Sequence, residues 1–284
     1  MTGLALPPWN LHPDALAIGL VLEGAYLWAL ARLGPEARSG GDPPATRRQV
    51  VWFSSGVLVI LVASLWPIHD LSERYLLSAH MVQHALISLV APPMLLLGVP
   101  PWLLRRILAP RVLRAVVRQA TRPFIALVVF NTVIVVTHWP LVMDQMLRNH
   151  PLHLVGHLVL FLSATAMWWP VVSPLPEMPT LSYPGRMLYL FLQSIVPTVP
   201  ASFLTFGSQP LYAFYRTAPR IWGISALTDQ TVAGLIMKLL GGAILWTVIA
   251  VTFFKWFRVE QQPGWDELQW RDVEREVRSE MGRR

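Results

Sequence analysis

Eight histidines and ten methionines, with no cysteine, make up the soft-metal donors of this 284-residue chain. Imidazole with thioether suits copper, and copper(I) especially, where no thiolate competes. Two spacings stand out. His80 and His84 are four residues apart, so on a helix both rings project from one face a turn apart. His150, His153 and His157 follow at i, i+3 and i+7, a stripe down one helical face. An i, i+4 pair lets one helix give two nitrogens to one ion. His138 is a possible fifth contributor. Met81, Met143, Met146 and Met237 are candidate thioether neighbours, and Asp70, Asp144 and Asp229 candidate carboxylate ligands or partners of ligands. Zinc is compatible with the same imidazoles. Haem fits less well, because two nitrogens from one helical turn cannot straddle a porphyrin.

The elements that must position these rings are set by gaps between charges. No Asp, Glu, Lys or Arg occurs in residues 49–69, 75–104, 123–143, 149–176 or 187–215. Each gap reaches the roughly 20 residues needed to cross hydrocarbon. Residues 15–31 are interrupted only by Glu23, and 230–254 only by Lys238. Backbone groups in lipid must be satisfied internally, so the spans are helices. The chain therefore reads as an all-α integral membrane protein, a bundle of seven transmembrane helices near 14–33, 50–68, 75–99, 123–143, 150–172, 184–207 and 229–254. Residues 1–257 form the transmembrane domain and 258–284 a charged helical cytoplasmic tail. The Gly/Pro-rich segment Gly34–Pro44 links the first two spans, and the aromatic loop 208–228 is expected along the interface. Gln193, Ser194, Thr198, Ser202 and Thr205 make the sixth span polar, which suits interhelical hydrogen bonding and cavity lining equally.

Orientation follows from Lys and Arg counts between spans. Eighteen fall on one side and four on the other, which predicts the N-terminus outside and the C-terminus in the cytoplasm. The net charge of +7 is then a positive-inside bias and not a nucleic-acid footprint. The basic stretch Arg105–Arg122 is expected to meet anionic lipid headgroups. All eight histidines fall on the outer side. Ionisable groups within spans are rare and usually functional. His80 and His84 lie about 8 and 14 Å below the start of the third span at 1.5 Å per residue. His12, His69 and His150 flank the spans, where a hydrogen bond is the expected use of an imidazole. Glu23 and Lys238 are each nine residues past an aspartate on inward-running helices, so an ion pair is expected if those helices are neighbours. No nucleophile–base pair is visible, and an enzyme is not expected.

The order of motifs resembles one family, the multispanning CtaG cytochrome c oxidase assembly factors associated with caa3-type oxidases. The resemblance runs from about His69 to Lys255. It is carried by His80-Met-Val-Gln-His84, Ala91-Pro-Pro-Met-Leu-Leu-Leu-Gly-Val-Pro100, Thr137-His-Trp-Pro140, His153-Leu-Val-Gly-His157, Trp168-Trp-Pro170 and Asp229-Gln-Thr-Val-Ala-Gly-Leu-Ile-Met237. It implies a bacterial plasma-membrane protein that helps make active haem-copper oxidase, plausibly through copper supply, with oxidase subunits as partners. A haem-binding membrane redox protein and an oxidase scaffold without metal are the alternatives.

Overall fold

The computed structural model describes residues 6–35, 44–261 and 266–281, and among them it is helical with no strand. Most of the Gly34–Pro44 segment lies outside the described residues. Five helices are long and apolar enough to cross a membrane: α1 (Pro13–Arg32), α4 (Leu77–Gly98), α9 (His150–Val172), α10 (Tyr183–Phe206) and α12 (Ala226–Glu260). Two bent pairs raise the number to as many as seven. These are α2 (Arg47–Ser64) with α3 (Ile68–Arg74), bent by 41°, and α6 (Arg111–Ala120) with α7 (Pro123–Thr137), bent by 78°. Short helices α5 (Pro101–Ile107), α8 (Pro140–Arg148) and α11 (Ala213–Thr217) join them, and α13 (Asp266–Met281) is charged.

Helix ends follow local chemistry. Thr46 and Gln49 form a reciprocal capping box at the start of α2. Asn149 caps α9 through the Leu152 amide. α4 has no side-chain cap of its own. Its first amides, Leu77 and Ser78, donate instead to the Asp229 carboxylate on α12 at 2.6 and 3.1 Å. A carboxylate there complements the helix dipole as well as filling the orphan donors. Two expected boundaries move. The fourth span stops at Thr137 rather than 143, because Pro140 has no N–H to continue the ladder, and α8 starts afresh. The second stops at Ser64, so His69 and Asp70 belong to the separate α3.

Close approach of backbones holds the bundle. A Cβ on Gly98 would stand 2.6 and 2.7 Å from Cβ and Cα of Phe53 on α2. The same carbonyl of Gly98 accepts from Tyr26 Oη of α1 at 2.9 Å, and Tyr26 stacks on Phe53. Small residues at crossings replace the hydrophobic drive that lipid abolishes. Polar ladders add to this: Asn131 donates to Gln193 at 2.6 Å, Gln193 to Tyr189 Oη at 3.0 Å, and Tyr189 to the Met167 carbonyl at 2.9 Å. Gln193 thus ties α7, α9 and α10, whereas Ser194 and Thr198 line a cavity, so the polar sixth span serves both uses. Within α4 and α12, the turns Leu86–Val90 and Ile236–Leu240 are π-helical. Pro92 lacks the N–H that would reach back toward Ser88, and the Trp168 indole donates to that Ser88 carbonyl at 3.1 Å.

The condition for a Glu23–Lys238 ion pair is not met. Glu23 accepts from Ser54 Oγ at 2.6 Å and makes no ion pair with Lys238 among the described residues, because α1 packs chiefly on α2. In the loop 208–228, two of the aromatic side chains turn inward while Trp222 stays exposed. Tyr212 and Tyr215 are buried against Leu77, Met81, Met143 and Leu204, and their hydroxyls donate to the carbonyls of His138 and Ser72.

The Gly98 contact has a direct test. Gly98→Ala should destabilise the detergent-purified protein by about 1–3 kcal/mol through overpacking against α2. The thermal midpoint should fall by several degrees; an unchanged midpoint would mean that α2 and α4 are not held this close.

Candidate metal centre

Three helices bring five imidazoles into one neighbourhood. His80 and His84 come from α4, His153 and His157 from α9, and His138 from the residue that ends α7. Ring centroids are 4.2 Å apart for His80–His84 and 4.3 Å for His153–His157. Across the helices, His80 is 5.6 Å from His153 and 6.0 Å from His157, and His84 is 5.3 Å from His157. His138 stands 5.6 Å from His84. One nitrogen from each of His80, His84 and His157 falls within 4.8 Å of the others. The helical spacings thus place His80, His84, His153 and His157 side by side, with His138 next to His84, whereas His150, the first of the stripe, lies outside the group.

Burial is nearly complete and hydrogen bonding is not. His80 is 0% exposed, and His84, His138 and His153 are 4–6% exposed. Both nitrogens of His80, both of His84, and Nε2 of His138, His153 and His157 are buried without a hydrogen-bond partner in the protein. An unpaired buried polar group costs about 1–3 kcal/mol. Seven such nitrogens lie on these five neighbouring rings.

Two tautomers are fixed by neighbours. His138 Nδ1 lies 2.8 Å from the Ile134 carbonyl, which can only accept, so Nδ1 carries the proton and Nε2 a bare lone pair. His153 Nδ1 lies 2.7 Å from Glu73 Oε1, which leaves its Nε2 facing the cluster in the same state. A carboxylate behind an imidazole orients the ring and raises its basicity toward a cation.

Glu73 is the residue that charge-gap reading missed. Its one available signal was the i, i+4 spacing to His69, whose Nε2 lies 3.3 Å from Glu73 Oε1. The far nitrogen of His69 accepts from Gln83, whose amide also donates to the Ala63 carbonyl and accepts from Ser72. His12 Nε2 pairs with the buried Asp70 at 2.7 Å, and its ring meets His69 edge-on at 4.4 Å. His12 and His69 are thus hydrogen-bonded outside the cluster, as expected for rings flanking the spans. His150 stands apart at the rim, 62% exposed and 3.8 Å from Asp14.

The aspartates and methionines depart from their expected parts. Asp229 caps α4, and Asp144 accepts from the Ala213 and Phe214 amides that open α11, so backbone donors occupy both. Met81 and Met143 sit in an apolar cluster with Leu77, Leu204 and the two tyrosines. The end of Met146 fills the space where Gly156 lacks a side chain. Met237 and Met81 also line the cavity that adjoins His84 and His138. The centre is an all-imidazole donor set, suited to a borderline or soft cation rather than a hard one.

Comparison with curated proteins and with solved structures finds no match. The family model does match, over residues 24–259, and takes in α2 to α12 with every ring of the cluster. By that match, the chain belongs to the cytochrome c oxidase caa3 assembly factor family, CtaG.

Proposed function

We propose that this chain is a seven-span protein of the bacterial plasma membrane that binds copper as cargo for assembly of a haem-copper cytochrome c oxidase. The bent pairs α2–α3 and α6–α7 each count as one span on this reading. The N-terminus is outside and α13 is a cytoplasmic tail, a reading supported by the eighteen-to-four distribution of Lys and Arg. The arginines of α5 and α6 face anionic headgroups of the inner leaflet. The partner is an oxidase subunit.

One observation carries the metal reading: seven buried imidazole nitrogens without a partner converge from three helices. Ligation by His80, His84, His153 and His157, with His138 in reserve, would give a partner to one nitrogen on each ligating ring. With no thiolate in the chain, an all-imidazole set suits a borderline or soft cation, and copper is the one that an oxidase assembly role calls for. Centroid spacings of 4.2–6.0 Å leave no slot for a planar macrocycle between the rings, which argues against haem. The family's described role is assembly, so no turnover reaction is assigned.

Three outcomes follow. A fluorescent protein fused after Arg284 should fluoresce in the cell and a fused alkaline phosphatase should be inactive; the reverse would invert the topology. The paired variants His80→Ala/His84→Ala and His153→Ala/His157→Ala should lose bound copper in purified protein and lower oxidase maturation while inserting normally. Normal maturation in the quadruple variant would sink the copper reading. Glu73→Gln keeps a hydrogen-bonding shape but removes the charge behind His153, and should weaken copper affinity about 10–100-fold by competition titration.

A further inference from the structure

A cleft runs from the rim of the bundle to the cluster, between α1, α2, α3 and α9. Asp14 and His150 stand at its mouth, 48% and 62% exposed. Glu73, 23% exposed, lines it midway, and its floor is His153, 5% exposed, with His157 beyond. The stripe His150, His153, His157 therefore descends the wall of this cleft in steps of three and four residues, about 4.5 and 6 Å along the axis. At its floor, Nε2 of both His153 and His157 is buried and unpartnered.

Charge separates this cleft from the other cavity that touches the cluster. The cleft is lined by two carboxylates, Asp14 and Glu73, and by no Lys or Arg. The cavity on the opposite side, against His84 and His138, is lined by Lys238 and by no carboxylate. Low-dielectric walls with charges of one sign concentrate the opposite ion and raise its rate of arrival. A cation is drawn into the first and repelled from the second.

We propose that the cleft from Asp14 and His150 past Glu73 to His153 and His157 is the route by which the cation loads the buried cluster. This rests on the metal reading above. Asp14 and His150 act on arrival and are not ligands of the bound ion, so they govern the rate of loading and not the amount held.

The test uses full-length protein stripped of metal in detergent and mixed anaerobically with Cu(I), with uptake sampled over time by a chelator quench. Asp14→Asn/His150→Ala should load about tenfold more slowly at low salt and reach the wild-type stoichiometry. Wild-type loading should slow as salt rises and the variant's much less, since exposed charges are screened. Ala15→Trp, which narrows the cleft from its α1 wall, should slow loading at every salt concentration. Wild-type uptake with unchanged rates in both variants would overturn the route and leave the metal site standing. Loss of bound metal at equilibrium in Asp14→Asn/His150→Ala would make those residues ligands and would also overturn it. A wild-type protein that takes up no Cu(I) removes the metal reading, and the route falls with it.

Discussion

Four carboxylates at the histidine end of the bundle are held within the protein, and that allocation sets the character of the centre. Asp229 is bound to the first amides of α4, Asp144 to those of α11, Asp70 to His12, and Glu73 to His153 and His69. A buried charge without such a partner would be prohibitive. The first two build the walls: Asp229 fixes where α4 begins, and so the height at which His80 and His84 project. The last holds one ring in place. None is left to face the inner rings, so the point where five imidazoles converge is rich in lone pairs and poor in negative charge. That composition discriminates against hard divalent ions, which require oxygen ligands.

How much of this was legible in the sequence depended on whether a feature is local. The i, i+4 and i, i+3, i+7 spacings of the histidines need only the helical period, and His80, His84, His153 and His157 do meet, although His150 stays at the rim. Charge gaps located the long apolar helices to within a few residues for the same reason. Failures came where the question was which helix neighbours which. Glu23 and Lys238 share a depth on paper, yet depth says nothing of azimuth, and α1 packs on α2. Asp229 and Asp144 looked like ligands because they are acidic and near in sequence to the right span, but backbone amides from distant segments claim them. Tyr212 and Tyr215 read as interfacial because aromatic residues concentrate there. Their hydroxyls instead find backbone carbonyls inside the protein.

Glu73 shows the cost of reading spans alone. A short charged stretch between two apolar runs looks like a connector, and Arg74 beside it is indeed exposed. Yet the helical turn from His69 to Glu73 reaches both the rim histidines and the cluster. The residue that best links the exposed and buried imidazoles lies in the segment least marked by hydropathy.

The π-helical turns in α4 and α12 carry a consequence of their own. Each adds one residue to a turn, which offsets the facing of everything beyond it by about 100° relative to an unbroken α-helix. Upstream in α4, His80 and His84 face the other rings; downstream, Leu96 and Gly98 face the apolar packing of α2 and α9. The widened turn uncouples those two alignments. One continuous helix can then serve a polar centre and a close apolar crossing whose best orientations differ. Shortening Leu86–Val90 by one residue would force the two ends into a common phase, and one of them would point the wrong way.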